Sequence, residues 1–353
     1  QTLLPACDLV GKRRSHKEAA RINAGIMNSR KEQVIDLWRT CFGDPEPFIR
    51  LFFEQVYRDE YTLTWEREGR VVSALQILPY TLCYYGEMIP VGYICGVSTL
   101  PEERGKGYMK QLMAQAEVEL KRRGLALATL IPAEPWLFDY YARMGYTTAF
   151  DYAWKSYELA ERAESPTDLF LQAERLPDAD LPALHTYLDW KLRERPICLL
   201  HTVADLKVNL IDFWQSGGGL FTLRDTAKQI LGMAFVLFVA ETHELLIKEW
   251  LTEDEATAHH FAQLLLRHFQ AERVLIKSPA TTAAERHPFA MAHLVDPDVL
   301  CRAWLRHHPG AASMEELRAM PPQLLTQLVL EYPQRAAFLS LMLDCSLTPL
   351  LRL

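Results

Sequence analysis

The sequence predicts an α+β protein made of two similar units, each a mixed, mostly antiparallel sheet flanked by helices, with a small helical region after them. Three observations lead to this prediction. At 353 residues the chain is long enough for two or three domains. Its first half contains successive strand-like runs separated by short turns. The order and lengths of its elements then recur in the second half, so that residues 245–279 align with residues 93–133.

The composition is that of an ordinary globular protein and excludes several classes. Hydrophobic residues make up 49% of the chain and charged residues 24%. A formal charge of −7 argues against a general nucleic-acid binder. The seven cysteines are scattered without a CxxC pair, which favours reduced thiols in the cytoplasm over disulfides or a zinc site. No apolar run is long enough to span a membrane, and the first residues do not resemble a signal peptide.

The first 26 residues form a basic leader. They include five Lys or Arg residues and two acids. This pattern favours a solvated, poorly ordered segment, with a nucleic-acid-binding arm as the alternative. Met27 is a natural start for the first domain, which we assign to residues 27–160.

This first domain is predicted to begin with two helices and an antiparallel meander. The spacing of Val34, Leu37 and Trp38 indicates a helix that ends near Gly43. Asp44 is expected to cap a second helix, with Pro45 at its first position. The predicted strands are Tyr61–Arg67, Val71–Leu78, Tyr80–Tyr85 and Ile89–Leu100.

A glycine-bearing basic turn follows, at Arg104-Gly105-Lys106-Gly107, and then an amphipathic helix that ends near Gly124. The remaining elements are a buried strand, a short helix that stops before a glycine, and a closing strand. They are predicted at Leu125–Ile131, Trp136–Arg143 and Tyr146–Leu159.

The second domain is assigned to residues 169–290 and the helical region to residues 291–353. Helices are expected at Leu181–Glu194, Val203–Phe213 and Glu255–Phe269, and strands at Gly219–Arg224, Gln229–Val239, Leu245–Leu251 and Arg273–Lys277. Further helices are expected at Asp296–His307, Pro322–Glu331 and Gln334–Leu343. In this copy the basic turn is replaced by Thr252-Glu253-Asp254-Glu255, whose acids would repel a pyrophosphate.

The basic turn suits a phosphate because it opens a helix. A helix N-terminus presents unpaired N–H groups and a partial positive charge. Glycines allow the backbone to approach a phosphate closely, and Arg104 and Lys106 add positive charge. A turn that starts a helix without binding any ligand is the alternative.

The stretch Arg104-Gly105-Lys106-Gly107-Tyr108-Met109 resembles the acyl-CoA pyrophosphate loop of the GNAT acetyltransferases, Arg/Gln-x-x-Gly-x-Gly/Ala. Met109 departs from the last position of that pattern. The segment RGKGYMKQLM and the duplication resemble the enhanced intracellular survival (Eis) type, which implies tandem GNAT-like folds. The resemblance is specific over residues 88–150 and looser elsewhere.

The resemblance implies an acetyl-CoA site. Val97, Ser98 and Thr99 would pair their backbone with the pantetheine arm, and Gly105, Lys106, Gly107, Tyr108, Met109 and Lys110 would cradle the pyrophosphate beside Arg104. Trp136 is also assigned to the cofactor site, although it could instead wall an acceptor pocket or belong to the core, like Phe48, Phe52, Trp65 and Phe138. In DYYARMGY, Tyr141 matches the family tyrosine that protonates the leaving thiolate, which is general-acid chemistry. A core aromatic is the alternative for Tyr141.

A general base is harder to assign. An amine substrate is protonated at neutral pH and must lose a proton before it attacks. Glu87, Glu134 and Asp139 are the nearby carboxylates, and a water relay could replace them. The terminal carboxylate of Leu353 is a further candidate, because the chain end of Eis-type enzymes can reach the active site.

The remaining motifs indicate ordinary structure. Ser216-Gly217-Gly218-Gly219 precedes a strand, which favours a turn over a phosphate loop. The pairs His259-His260 and His307-His308 point to different helix faces, so no metal is predicted.

The function predicted is acetyl transfer from acetyl-CoA to a primary amine, either a small cationic molecule or a protein amine. No nucleic acid or membrane partner is predicted, and a homo-oligomer is compatible with the sequence. The alternative is a non-catalytic module that keeps the fold for CoA binding or protein interaction.

Overall fold

The structure is a computed structural model that describes residues 29–160, 168–280 and 286–333. The basic leader, the predicted helix Gln334–Leu343 and Leu353 lie outside these ranges. In the described part of the chain, no helix has both the length and the apolar character needed to cross a membrane.

Two helices open the described chain. Helix α1 spans Arg30–Phe42 and begins at a capping box of Ser29 and Glu32. Helix α2 spans Glu46–Leu51 and continues into a π-helical turn, Phe52–Val56. The sequence prediction that Asp44 caps α2 is wrong, because α2 starts after Pro45 without a side-chain cap. Asp44 instead accepts a hydrogen bond from the Trp38 indole at 2.8 Å.

An antiparallel meander follows, made of β1 (Thr62–Arg67), β2 (Arg70–Tyr84) and β3 (Glu87–Thr99). The two strands predicted on either side of Pro79 are one continuous strand, β2. This proline lies between the part of β2 that pairs with β1, which ends at Gln76, and the part that pairs with β7 (Ile197–Leu200), which begins at Thr81. A proline is tolerated there because the missing N–H interrupts neither ladder.

The first unit continues with helix α3 (Tyr108–Arg122), strand β4 (Leu127–Leu130), helix α4 (Pro135–Ala142) and strand β5 (Thr147–Glu158). The buried face of α3 and the side chains of α4 pack on one face of the sheet. Helices α1 and α2 pack on the other face. The sheet is therefore covered on both sides where β3 and β4 run through it.

Strands β3 and β4 are parallel neighbours, but they pair over three residues only, from Val91–Tyr93 on β3 to Leu127–Thr129 on β4. Strand β3 continues for six more residues, to Thr99. The two strands therefore diverge toward their carboxyl ends, and the backbone of β3 beyond Tyr93 borders a wedge-shaped opening.

The second half repeats this order of elements. Its members are β6 (Leu169–Glu174), α5 (Leu181–Arg193), β7, α6 (Val203–Gln215), β8 (Gly219–Asp225), β9 (Ile230–Val239), β10 (Glu244–Thr252), α7 (Glu255–Phe269) and β11 (Arg273–Ser278). Strand β10 pairs antiparallel with β9 and parallel with β11, as β3 does with β2 and β4. The duplication predicted from the sequence is confirmed. Strands β6 and β7 were not predicted.

One twelve-stranded sheet joins the two halves. Strand β5 bridges them, because its first part pairs with β12 (His287–Leu294) and its second part, from Ala153, pairs with β11. Strand β12 also pairs with β4. The sequence analysis placed the end of the second domain at residue 290, whereas the structure inserts β12 into the sheet of the first unit.

Three helices close the described chain, α8 (Pro297–His307), α9 (Met314–Ala319) and α10 (Pro322–Val329). They pack on the first unit, where the Tyr84 hydroxyl donates to the carbonyl of Val329 at 2.6 Å. At the β2–β3 turn, Arg306 forms an ion pair with Glu87. This region is thus part of the first unit's packing.

Candidate active site

The glycine turn between β3 and α3 has a conformation that glycine favours. Gly105 has φ +79° and Gly107 has φ +83°. A side chain is strained in this left-handed region of φ. In the described part of the chain, apart from the adjacent residues of the turn, no atom lies within 4 Å of the position that a Cβ would take at either glycine. The turn therefore leaves an open concave backbone surface at the start of α3.

The N-terminus of α3 has hydrogen-bonding capacity to spare. Gly107 occupies the N-cap position, and no side chain of residues 29–160, 168–280 or 286–333 caps the helix. The first N–H groups of a helix have no partner within the helix, and they carry its positive dipole end. Because the turn is open, these donors can bind an anion such as a pyrophosphate.

The charged side chains near this turn interact with one another and with the backbone. Glu103 accepts from Lys106 at 2.8 Å and from Arg67 at 3.3 Å. The Lys106 ammonium, followed by the Arg67 guanidinium, holds the pKa of the Glu103 carboxyl below its usual value. Arg104 donates to the carbonyl of Thr99 at 3.2 Å, which ties the turn to the end of β3.

A cleft of about 780 Å³ occupies the opening between β3 and β4 and runs from the glycine turn to helix α4. Eleven of the residues predicted from the sequence line it, namely Val97, Ser98, Thr99, Arg104, Gly105, Gly107, Tyr108, Met109, Lys110, Trp136 and Tyr141. Lys106 is not among the lining residues, but its ammonium pairs with Glu103, which does line the cleft. The structure thus brings the predicted residues into one cavity.

A bulge in β3 shapes the middle of this cleft. The pairing of β2 with β3 shifts between Ala74, opposite Ser98, and Gln76, opposite Cys95. Gly96 sits in the bulge with φ +59° and lines the cleft. The sequence analysis missed this feature. A lone glycine inside a strand-like run was the available signal.

Tyr141 lies on α4 at the inner end of the cleft, and its side chain is only 5% exposed. Its ring contacts Tyr140, at 5.4 Å between centroids, and Tyr146, at 6.1 Å. Burial raises the pKa of the Tyr141 phenol well above its ordinary value. Tyr140 also lines the cleft but is half-buried.

The outer rim of the cleft is aromatic. Trp136 is 64% exposed, and its ring meets the edge of Tyr140 at 6.2 Å. The other aromatic residues considered for an acceptor wall lie elsewhere: Phe48 and Phe52 belong to the core beneath α1, while Trp65 stacks on Tyr108 at 5.6 Å. The structure therefore separates Trp136 from the core residues Phe48 and Phe52.

The carboxylates considered as general bases are dispersed. Glu134 lines the cleft at its rim, whereas Asp139 is exposed on α4 and is not among the lining residues. Glu87 lies at the opposite end of β3 from Thr99, where Arg306 holds its pKa below the usual value. Glu87 is therefore excluded as a base. Leu353 lies outside the described residues.

The second unit has no equivalent of the open turn. The side chain of Asp254 caps α7 and accepts from the Thr257 N–H at 2.7 Å. A carboxylate thus occupies the donors that an anion would need, and Glu255 adds a second negative charge beside it. Strand β10 nevertheless keeps a register shift between Ile247 and Glu249, a trace of the shared architecture.

The other sequence motifs are structural. Residues 216–218 form the turn between α6 and β8. Within the described ranges no three His, Cys, Asp or Glu side chains are grouped as metal ligands would be.

Comparison with known families identifies the first unit. Residues 25–149 match the family model described as an acetyltransferase (GNAT) domain. The chain contains a GNAT acetyltransferase domain. Its glycine turn, its bulged β3 and the cleft between β3 and β4 all lie within this match. No curated protein matches the chain.

Several solved structures are similar to this chain over more than its GNAT domain. A probable N-acyltransferase from Enterococcus faecalis superposes with a TM-score of 0.64 at 15% identity, covering 75% of this chain and 70% of its own. A GCN5-related N-acetyltransferase from Anabaena variabilis gives 0.60 at 18% identity, covering 75% and 70%. Eis1 from Mycobacterium abscessus gives 0.56 at 13% identity, covering 77% and 73%.

These comparisons confirm two expectations from the sequence. The fold is a tandem GNAT-like fold of the kind found in Eis1, since the superposition spans about three quarters of each chain. The match over residues 25–149 places the first unit among the GNAT acetyltransferase domains, whose chemistry is acyl transfer.

Proposed function

We propose that the protein transfers an acetyl group from acetyl-CoA to a primary amine by direct attack of the amine on the thioester. The observation that carries this proposal is the cleft between β3 and β4, which joins an open, uncapped helix N-terminus at one end to a buried tyrosine at the other. Such a cleft can bind a long substrate that carries a pyrophosphate at one end and a thioester at the other.

The residues of the cleft fit acetyl-CoA at each of its parts. The open glycine turn and the first N–H groups of α3 would hold the pyrophosphate, with Arg104 and Lys110 nearby. The backbone of Val97, Ser98 and Thr99 would pair with the amides of the pantetheine arm, since β4 has diverged from β3 there. Trp136 would cover the outer side of the arm.

Catalysis would combine positioning with polarisation of the thioester. Backbone N–H groups near the bulge would donate to the carbonyl oxygen as it gains negative charge. Holding the amine next to the carbonyl carbon replaces a bimolecular encounter by a bound one. Tyr141 would donate its proton to the sulfur of CoA as the carbon–sulfur bond breaks. Because burial raises its pKa, the phenol remains protonated over the working pH range.

The amine must lose a proton before it attacks. Of the acids discussed, Glu134 lies at the rim of the cleft, where it can accept a proton through water. The terminal carboxylate of Leu353 stays a second candidate for this role. An acidic group at the mouth of the cleft is compatible with a cationic acceptor, either a small polyamine-like molecule or a protein amine. We place this activity in the cytoplasm, because the five cysteines in the described part of the chain are free thiols.

Two measurements test the proposal. Isothermal titration calorimetry with acetyl-CoA measures binding of the donor. A thiol-release assay with acetyl-CoA and a panel of amines then measures transfer. The panel holds polyamines, aminoglycosides, arylalkylamines and lysine peptides, and mass spectrometry of the product identifies the acetylated nitrogen.

The outcomes separate an enzyme from a binding module. Binding of acetyl-CoA together with amine-dependent release of CoA supports the proposal. Binding without release across the whole panel favours the non-catalytic module. A protein that does not bind acetyl-CoA refutes the donor assignment itself.

A further inference from the structure

A buried glutamine lies directly behind the bulge that faces the cleft. Gln76 is 0% exposed and sits on β2, opposite Cys95 of β3. By strand alternation its side chain points to the same face as Ala74 and Leu78, the face covered by α1. It does not line the cleft itself, so it can act on the cleft through the backbone of β3 only.

The Gln76 amide is buried without a hydrogen-bond partner in the described protein. Neither its oxygen nor its nitrogen has a hydrogen-bond partner among the described residues. Each buried polar group without a partner costs about 1–3 kcal/mol. Gln263 offers a contrast within the same chain: it is equally buried, yet its amide accepts from Ala160 at 2.9 Å and donates to Glu158 at 2.8 Å. An apolar side chain of the same length at position 76 would avoid the cost.

The amide is in close contact with Gly96. A Cβ built on Gly96 would lie 1.9 Å from the amide oxygen of Gln76 and 2.6 Å from Trp38 Cζ3. The two side chains therefore occupy the space that a side chain on Gly96 would fill. The carbonyl of Gly96 accepts from the Ser98 hydroxyl at 3.1 Å. The bulge is thus held by Gln76 and Trp38 behind it and by Ser98 along the strand.

We propose that Gln76 is a positioning residue for acyl transfer, holding the Gly96–Val97 bulge so that the backbone donors of β3 meet the thioester carbonyl. The inference rests on the proposed function, because the carbonyl in question is that of bound acetyl-CoA. Three independent features meet at this point: a polar side chain with unmet hydrogen bonds, a left-handed glycine, and a register shift beside the cleft.

A positioning role for Gln76 predicts that removing its amide lowers the catalytic rate without lowering stability. Gln76→Met keeps the length of the side chain and removes the polar amide, so we expect the thermal midpoint of unfolding to rise or stay unchanged. Met is more flexible than the planar amide, so the packing against Gly96 is held less firmly. Misplaced donors then lower the rate rather than the affinity. Loss of one such donor lowers kcat by about 100- to 1000-fold in other enzymes. For an indirect effect we expect a fall of about 10- to 100-fold, with the KM for acetyl-CoA changed less than about threefold.

The experiment compares wild type, Gln76→Met and Gln263→Met. Calorimetry with acetyl-CoA gives the affinity, and infrared spectroscopy of bound acetyl-CoA labelled with carbon-13 at the thioester carbonyl reports its polarisation without any acceptor. The thiol-release assay with the best amine of the panel gives kcat and KM. Gln263→Met is the matched control, because it removes a satisfied amide far from the cleft and should lower the thermal midpoint while leaving kcat unchanged.

We expect Gln76→Met to bind acetyl-CoA like wild type, with its carbonyl frequency shifted toward that of acetyl-CoA in water and with a lower kcat. An unchanged carbonyl frequency and kcat would overturn the inference, as would a Gln76→Met protein that fails to fold. If wild type does not bind acetyl-CoA, the proposed function fails first and this inference falls with it. Normal binding by all three proteins with equal kcat refutes the role of Gln76 alone.

Discussion

Replacing Tyr141 by Phe removes one hydroxyl group from the inner end of the cleft. The phenyl ring keeps its contacts with Tyr140 and Tyr146. The substitution therefore isolates the proton that Tyr141 would donate to the CoA sulfur. We expect the fold and the affinity for acetyl-CoA to be preserved.

The size of the effect follows from the role. A positioned general acid contributes about 100- to 10,000-fold to the rate. CoA thiolate is a moderately good leaving group, so we expect the lower end, a fall in kcat of about 100-fold, or about 2.7 kcal/mol in the barrier. The KM for acetyl-CoA should change less than about twofold, because the hydroxyl acts in the transition state.

The pH profile provides an independent check. An acid must be protonated to work, so activity is lost as the pH rises through its pKa. Burial raises the pKa of Tyr141 above the ordinary value of about 10. The wild-type kcat should therefore show no alkaline loss from this group below about pH 10.

The neighbouring Tyr140 supplies the matched control. It lines the same cleft but is half-buried and interacts with the rim residue Trp136. Tyr140→Phe should leave kcat within about threefold of wild type. A Tyr141→Phe enzyme with wild-type kcat, or a larger loss in Tyr140→Phe, would remove Tyr141 from the mechanism.

Three further changes test the loop and the fold. Gly107→Ala places a side chain at φ +83°, which costs about 1–2 kcal/mol, and crowds the anion-binding turn. Calorimetry should show that the affinity for acetyl-CoA falls about tenfold. An unchanged affinity would contradict binding of the pyrophosphate by this turn. Glu103→Gln removes the carboxylate that pairs with Lys106 and Arg67 and leaves these cations available to the ligand. The affinity for acetyl-CoA should therefore rise a few-fold at low salt, and this gain should vanish at high salt. A lower affinity for acetyl-CoA at low salt would contradict this prediction. Burial raises the pKa of Asp212 to about 6, so between about pH 4 and 6 the folded state holds a proton that the unfolded state has lost, and the free energy of unfolding should fall as the pH rises through this range. Denaturant titrations should show that Asp212→Asn removes this fall and adds about 1–3 kcal/mol to the free energy of unfolding at pH 8. An unchanged pH dependence in Asp212→Asn would contradict the role of Asp212.

Local patterns predicted the glycine turn and its helix. The apolar residues of the helix recur at helical spacing, and the turn has glycines next to basic residues. Both elements can therefore be predicted from the sequence. The same holds for the duplication, because the order and lengths of elements survive even where the acidic turn at Thr252–Glu255 has replaced the basic one.

The pairing of strands that lie far apart in the sequence was not predicted. Strand β12 is short and carries Pro288, and only its partners β4 and β5, more than 100 residues away, make it a strand. Pro79 likewise suggested a break, although the pairing of β2 on either side tolerates it. Such outcomes depend on contacts between distant segments, which periodicity does not encode.

The sequence predicted residues that the structure gathers in one cleft, but it did not predict the shape of that cleft. The sequence placed Glu87 just before the strand that carries the site, while the fold turns this residue to the far end, against Arg306. The bulge at Gly96 and the unsatisfied amide of Gln76 depend on how β2, β3 and α1 meet, and a glutamine in a strand-like run carries no mark of burial.

We infer that this chain has one working acyl-CoA site, formed by the first unit. Calorimetric titration of the full chain with acetyl-CoA tests it most directly, because the measurement gives both affinity and stoichiometry. We expect one molecule bound per chain, with binding weakened by Gly107→Ala. Two molecules per chain would contradict the loss of the second site, and no binding would contradict the claim as a whole.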